Sequence, residues 1–281
     1  MISVLPYAFS YSADNWSAAT PSSVPGTTLP EVTSVDTMTD PVTACIATPL
    51  AQDCYLITVN VTQTLTPSTD TSALLDVMYD PAGGTAWQIL IPKLIVGFRN
   101  VQGVSGAMSD YWFPLYVPKG SSIGARWQCV SDTTVTPRIQ ITLYGGPSRQ
   151  GFWFGTTVTA VGANTTGSCG ADLDPGSTGT YGAWTSVGAT SNPAFRFLMI
   201  GAQGTAITHT ADFYHIQYGF GDTKIPGAQI RIGYTTSEAI WQFPNHFGVY
   251  ADIPAGTQLQ ARATGSDATS EDCSVALYGV S

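Results

Sequence analysis

Charged residues are scarce in this sequence, and basic ones are the scarcer kind. Charged residues make up 10% of the 281 residues, and ten lysines and arginines against nineteen acidic residues give a net charge of −9. The basic residues stand singly, whereas a nucleic-acid groove presents a basic run or stripe to the phosphates. We therefore expect no nucleic-acid partner. Hydrophobic residues make up 43%, which is too many for a disordered chain, so the sequence predicts a folded core.

Long apolar runs and helical periodicity are also missing. The longest apolar stretch, WQILIPKLIVGF, is interrupted by Pro92 and Lys93 and is too short to cross a bilayer. The opening residues, MISVLPYAFSYSADNW, lack the cationic start of a secretory signal. No window repeats apolar residues every 3.6 positions over three turns. We expect no membrane insertion and no long helix, and a protein that stays in the compartment where it is made until that cell is gone.

Recognisable catalytic and metal-binding motifs are absent. The three histidines show neither an HxH nor an HExxH spacing, and there is no GxSxG motif. Most aspartates stand beside Gly, Ser or Pro, where turns favour them. The acidic clusters GADLDPG and GSDATSED do not match the calcium loop of an EF-hand. The sequence predicts no catalytic residue, no cofactor and no metal site. A triad or a carboxylate pair assembled from distant loops stays open, as does a calcium ion in one of these loops.

The five cysteines include no CxxC pair. Cys45 and Cys54 are close enough in sequence to bridge a short loop, but Val187 and Arg196 stand at the corresponding positions of the repeat described next. A disulfide that belongs to the fold should occur in both copies. The pattern therefore favours reduced, partly buried thiols over a Cys45–Cys54 bridge.

One stretch occurs twice in the chain. VPKGSSIGARWQCVSDTTVTPRIQITLYGG spans 117–146, and IPAGTQLQARATGSDATSEDCSVALYGV spans 253–280. Both open on an aliphatic residue, Pro, any residue and Gly, which suggests a type I turn. Both then alternate apolar and polar residues, which is typical of strands with one buried face. Arg126 and Arg262 share one position on the polar face, where we expect a cross-strand acid or a neighbouring subunit as the partner.

The repeat extends backwards, so that the copies run from about Thr43 to Gly146 and from about Thr185 to Val280. About a hundred residues is the size of one β-sandwich domain. The sequence therefore predicts an all-β protein with two tandem antiparallel β-sandwich domains of jelly-roll-like type, at 43–147 and 148–281. Residues 1–42 are predicted to be an N-terminal arm or first strands. We expect that arm to lie on a neighbouring subunit of a homo-oligomer and to contribute to attachment.

Aromatic residues supply the candidate contact surface. Phe152, Trp153 and Phe154 are consecutive, so a strand cannot bury all three on one face. At least one must point outward, towards the other domain, a partner protein or a glycan. Trp16 is one of several aromatic residues near the front of the N-terminal segment. We predict that Phe152, Trp153, Phe154 and Trp16 contact a partner or a glycan.

Three segments carry a family resemblance: LLDVMYDPAGGTAWQILIP (74–92), FPLYVPKGSSIGARWQC (113–129) and GTYGAWTSVGAT (179–190). They resemble a group of virion proteins from tailed phages and phage-like gene-transfer particles of aquatic bacteria. The first copy departs from the group, because VDTMTDPVTACIAT stands where the group has an aromatic opening. The resemblance implies jelly-roll or related β-sandwich modules that serve as decoration proteins, spikes or fibres.

The expected function is that of a non-enzymatic virion structural protein attached to a capsid or tail. Its expected partners are other virion proteins, further copies of itself and host-surface polysaccharide. Its expected location is the virion, assembled in the host cytoplasm and then released as an extracellular particle. Two alternatives stay open: a tailspike enzyme that degrades or deacetylates polysaccharide, and a free carbohydrate-binding lectin.

Overall fold

The computed structural model describes residues 7–11, 26–63, 71–98, 109–130, 133–145, 153–164, 169–189, 191–204, 211–221, 225–235, 248–265 and 273–281. Within these ranges every regular element is a β-strand, as predicted. None of the described residues forms a helix long and apolar enough to cross a bilayer. In chain order the strands are β1 (Tyr7–Tyr11), β2 (Thr27–Thr28), β3 (Thr43–Ile46), β4 (Cys54–Gln63), β5 (Thr71–Asp80), β6 (Gln88–Phe98), β7 (Ser109–Phe113), β8 (Ser122–Cys129), β9 (Pro137–Gly145), β10 (Val158–Val161), β11 (Ala171–Leu173), β12 (Thr185–Ser186), β13 (Phe195–Gly204), β14 (Ala211–Phe220), β15 (Ile225–Thr235), β16 (Val249–Ile253), β17 (Leu259–Gly265) and β18 (Cys273–Val280).

These strands form four antiparallel sheets that pack in pairs, giving two units. In the first unit a sheet ordered β1-β9-β4-β7, with β2 also on β9, packs on a sheet ordered β3-β8-β5-β6. In the second unit a sheet ordered β10-β18-β13-β16, with β11 also on β18, packs on a sheet ordered β12-β17-β14-β15. The strand order is the same in both units. It is the order of a jelly roll, in which two Greek keys form a closed pair of sheets.

The alternating sequence patterns become the inner faces of these sheets. Along β9 the side chains of Ile139, Ile141 and Leu143 are fully buried, while the residues between them are half-buried. Along β17 the side chains of Leu259 and Ala261 are likewise buried between half-buried polar neighbours. Burial of these apolar faces between two sheets is the main stabilising contribution to each unit.

The turns that open the two repeated stretches differ from the predicted type. The Ser121 amide donates to the carbonyl of Pro118 at 3.2 Å, so Pro118 is the first residue of its turn and not the second. Gly120 is then the third residue and has a φ of 90°, a left-handed conformation that favours glycine. A glycine with positive φ at the third position is the signature of a type II turn, not of type I.

The described part of the N-terminal segment pairs with its own chain. Strand β1 pairs with β9 from Gly145 to Ile141, and β2 continues along the same edge at Ile139. Leu29 and Val32, which follow β2, are buried in the first core. Residues 7–11 and 26–42 thus belong to the first unit as first strands and core. The edge of β9 is thus occupied by β1 and β2 of the same chain.

The two units share a buried interface because β18 is covered on both faces. Val275 and Leu277 point into the second core, whereas Ala276, Tyr278 and Val280 pack with the core residues of the first unit. All eight residues of β18 are buried. From β13, Phe197 and Met199 join the same interface.

Two tyrosine hydroxyls close the edge of β6 at this interface. The Ile95 amide donates to the Tyr278 hydroxyl at 2.8 Å, and that hydroxyl donates to the carbonyl of Lys93 at 2.9 Å. The Tyr111 hydroxyl donates to the carbonyl of Ile95. Strand β6 ends its sheet, so these hydroxyls bond backbone groups that would otherwise be buried without partners. Burial raises the pKa of Tyr111 and of Tyr278 well above the ordinary tyrosine value.

The two cysteines considered for a bridge are thiols. Cys54 is buried and Cys45 is half-buried, and no bond joins them. Burial raises the pKa of Cys45 to about 12 and that of Cys54 to about 11. At neutral pH both therefore remain protonated and unreactive, which agrees with the predicted reduced state.

Candidate functional site

Trp153 lines a shallow groove at the junction of the two units. The groove has a volume of about 390 Å³, and its other lining residues are Arg196, Tyr250, Ala251 and Asp252. Arg196 is on β13, and the other three are on β16, which pairs with β13. Trp153 itself precedes β10 in the segment that links the units. Three separate parts of the chain thus meet in this groove, which we call the junction groove.

Aromatic rings form one continuous wall of the junction groove. The ring centroids of Trp153 and Tyr250 lie 6.3 Å apart, and the ring planes are nearly perpendicular at 87°. Tyr250 also contacts Phe197 at 5.2 Å, and Phe197 contacts Trp112 of the first unit at 4.7 Å. Tyr250 is nevertheless 49% exposed, which is unusual for a large apolar side chain in this protein. Part of its ring is therefore available to a ligand.

A charged pair stands beside these rings. The Nε atom of Arg196 lies 3.4 Å from Oδ1 of Asp252, and the two side chains are 60% and 89% exposed. A pair this exposed contributes little to stability. The register between β13 and β16 shifts between Phe195 and Phe197, which places Arg196 at a bulge. Bulges commonly redirect a side chain, and here the bulge lies beside the aromatic wall.

This arrangement suits non-covalent binding of a polar ring compound. A sugar has an apolar C–H face that packs on an aromatic ring, and it has hydroxyl groups that need donors and acceptors. The junction groove offers ring surface from Trp153 and Tyr250, N–H donors from Arg196 and a carboxylate acceptor from Asp252. Among the described residues, no three His, Cys, Asp or Glu side chains lie close enough together to hold a metal ion.

The predicted contact residues have different positions in the structure. Trp153 lines the junction groove, whereas Phe154 packs on the first unit, with its ring 4.8 Å from Tyr55 and 5.9 Å from Tyr116. Phe152 and Trp16 lie outside the described residues. Sequence reasoning did not find Tyr250, Arg196 or Asp252, because strand pairing alone brings them to Trp153.

The two repeated arginines also have different partners. Arg126 pairs with Asp76 on the neighbouring strand β5, with its Nε and Nη2 atoms both 2.9 Å from Oδ2, which confirms the cross-strand acid. Arg262 faces Gln217 on β14 instead, and its Nε and Nη2 atoms donate to Oε1 at 3.0 and 2.8 Å. The expected acid is therefore absent at Arg262 because a neutral amide stands at the facing position.

Comparison with known proteins yields no family. No protein-family pattern matches the chain, and no curated protein matches it. Among solved structures it is similar to PNGF-II, with a TM-score of 0.35 and 9% identity over 98% of this chain; the chain spans 65% of the length of that protein. It is similar to the T=1 Penaeus vannamei nodavirus, with a TM-score of 0.29 and 9% identity over 98% of both chains. It is also similar to the CBM22-1–CBM22-2 tandem domain of Paenibacillus barcinonensis Xyn10C, with a TM-score of 0.24 and 10% identity over 83% of this chain and 80% of that one. TM-scores this low support no inference about the present chain.

Proposed function

We propose that this chain is a non-enzymatic virion structural protein, a spike, decoration or fibre subunit on a capsid or tail, which contacts host-surface glycans through the junction groove. The observation that carries the binding role is the groove itself, where Trp153 and Tyr250 stand beside Arg196 and Asp252. The virion role is supported by the resemblance of segments 74–92, 113–129 and 179–190 to phage virion proteins.

The geometry of the rings favours one sugar residue over a flat polysaccharide surface. Coplanar aromatic rings would support several sugars in a row, whereas the rings of Trp153 and Tyr250 are nearly perpendicular. One ring then packs on the face of a sugar while the other limits it from the side. Hydroxyl groups at the rim of that sugar reach the guanidinium of Arg196 and the carboxylate of Asp252.

The way the units are joined favours a structural role. The segment between them is bonded to the first unit, because the Gly155 amide donates to the carbonyl of Pro114 at 2.9 Å and the Tyr116 amide donates to that of Gly155 at 2.8 Å. Together with the buried face of β18, these bonds hold the units in one orientation. A subunit on a particle surface needs this kind of fixed geometry to present a binding groove outwards.

The binding role is tested by titrating the full chain with purified capsule or lipopolysaccharide of the host. Trp153→Ala and Tyr250→Ala should each weaken binding about fivefold, since a ring contact contributes about 1 kcal/mol. Trp153→Tyr, which keeps a ring at the same place, should retain most of the affinity. Equal affinity of the wild type and both alanine variants would contradict the assignment of the groove.

The structural role is tested on intact particles. The protein should appear as a defined density on the capsid or tail in a map of the particle, and the purified chain should leave the host glycan intact. Release of reducing ends or acetate, abolished by substitution of one Asp, Glu or Ser, would instead support a tailspike enzyme. Absence of the protein from particles, together with glycan binding, would support a free lectin.

A further inference from the structure

Arg126 and Arg262 occupy one topological position in the two units but differ in charge balance. Arg126 on β8 lies opposite Asp76 on β5, and Arg262 on β17 lies opposite Gln217 on β14. In the first unit the carboxylate of Asp76 is 4% exposed and also accepts the Lys93 amide at 2.9 Å. The positive charge of Arg126 is therefore neutralised within the fold.

The charge of Arg262 is held in place but not neutralised. The single oxygen of Gln217 accepts from the Nε and Nη2 atoms of Arg262, which is the same side-on geometry that Asp76 provides in the first unit. Among the described residues, no carboxylate lies within ion-pair distance of Arg262, and the polar group that it contacts is the amide of Gln217.

Two aromatic rings fix the same guanidinium. Its Cζ atom lies 4.6 Å from the ring centroid of Tyr181 and 4.6 Å from that of Trp184. Both rings belong to the segment just before β12. That segment is bonded to β17, because the Gly182 amide donates to the carbonyl of Ala263 at 2.9 Å. Cation–π contacts of this kind orient the guanidinium without using its N–H groups. Arg262, Tyr181 and Trp184 are all half-buried, so part of each is open to solvent.

Counting donors leaves one edge of the guanidinium for a ligand. An arginine has five N–H groups in a planar fork, and Gln217 accepts two of them along the Nε–Nη2 edge. The end-on edge keeps an N–H on Nη1 and the second N–H on Nη2. Two parallel N–H groups at this spacing match the two oxygens of a carboxylate.

We infer that Arg262, positioned by Gln217, Tyr181 and Trp184, binds the carboxylate of an acidic saccharide such as a uronate. The carboxylate lies in the plane of the guanidinium, and the sugar ring that carries it meets the exposed parts of the two aromatic rings. Aromatic surface beside the fork favours a sugar over an acidic peptide, since the C–H face of a sugar packs on such rings. This site is on the outer face of the β14–β17 pair and is independent of the junction groove.

The test is calorimetric titration of the full chain with an oligogalacturonate and with the same oligomer fully methyl-esterified. The acid form should bind and the ester should not. Gln217→Glu supplies the missing carboxylate and reproduces the arrangement around Arg126, so it should weaken binding about tenfold while leaving Arg262 in place. Lys119→Gln, which removes one exposed charge elsewhere, is the matched control and should leave the affinity unchanged.

Three results would overturn the inference. The first is equal binding of the acid and the ester, and the second is full affinity in Gln217→Glu. The third is binding of a glutamate peptide as tight as that of the oligogalacturonate and equally sensitive to Gln217→Glu, which would replace the saccharide by a protein partner. Circular dichroism of each variant establishes that a loss of binding is not a loss of fold.

Discussion

Strands β9 and β18 close the two units in the same way but have different outer faces. On β9 the inner residues are buried and the outer ones, among them Thr142 and Tyr144, are half-buried. On β18 the outer residues are buried as completely as the inner ones, because Ala276 and Tyr278 pack against the first unit. One fold thus serves once as a module with a polar outer face and once as a module with an apolar docking face. The junction groove forms beside that docking face.

The two repeated arginines differ between the units in a similar way. A buried acid at Asp76 makes Arg126 part of the framework, whereas the amide of Gln217 leaves the charge of Arg262 available. In both comparisons the inner face preserves the fold and the outer face differs. Four predictions test this difference between inner and outer faces directly.

The largest effect is expected from a charge on the outer face of each closing strand. Ala276→Glu buries a carboxylate at the interface between the units and should lower the free energy of unfolding by about 4 kcal/mol. Thr142→Glu, at the equivalent position of β9, should change it by less than about 0.5 kcal/mol. Urea unfolding of both variants measures the difference. Similar losses in the two would mean that the outer faces do not differ as described.

The next largest effect concerns the buried acid. Asp76→Asn removes the charge that neutralises Arg126 and should cost about 3 kcal/mol, since it breaks a largely buried ion pair. Gln217→Glu creates the corresponding pair in the second unit and should be neutral or stabilising by about 0.5 kcal/mol. Thermal or urea unfolding gives both values. A destabilising Gln217→Glu would mean that the two positions are not equivalent.

A smaller effect is expected from one hydroxyl group. Tyr278→Phe leaves the Ile95 amide without its bond at the buried edge of β6, which should cost about 2 kcal/mol. Tyr144→Phe, at the matching position of β9, removes a hydroxyl from a half-buried ring and should cost less than about 0.5 kcal/mol. If the two phenylalanine variants are equally stable, the hydroxyl of Tyr278 does not hold the units together.

The smallest expected effect is on the pH dependence of stability. Burial raises the pKa of Tyr278 in the folded chain above that of an unfolded tyrosine, which is about 10. The contribution of Tyr278 to the free energy of unfolding is therefore fully present below about pH 10 and is lost as the pH rises further. The urea concentration at the unfolding midpoint should decrease as the pH rises from about 10 to about 12. This decrease should be smaller in Tyr278→Phe than in Tyr144→Phe. Parallel slopes in the two variants would contradict this role.

The fold class could be predicted because the buried inner face of a strand produces a local pattern in the sequence. Residues such as Ile139, Ile141 and Leu143 alternate with polar neighbours, and that alternation follows from the pleat of a strand. The sequence pattern of the docking face on β18 is less distinct. The sequence of β18, CSVALYGV, is apolar or small at nearly every position, a pattern typical of strands buried on both faces. The corresponding outer positions of β9 are occupied by polar residues.

Only part of the candidate site was within reach of sequence reasoning. Three consecutive aromatic residues indicated that at least one must point outward, and Trp153 lines the junction groove. Tyr250, Arg196 and Asp252 carry no local signal, because pairing of β13 with β16 brings them together over a long stretch of chain. The N-terminal segment was difficult for a similar reason, since pairing along β9, and not its own composition, determines where β1 and β2 lie.

The most direct test of the proposed function is a crystal structure of the full chain soaked with an oligosaccharide of the host surface. A sugar residue should be packed between Trp153 and Tyr250, with its hydroxyl groups bonded to Arg196 and Asp252. A sugar bound elsewhere while the junction groove stays empty, at a concentration that saturates binding in solution, would contradict it.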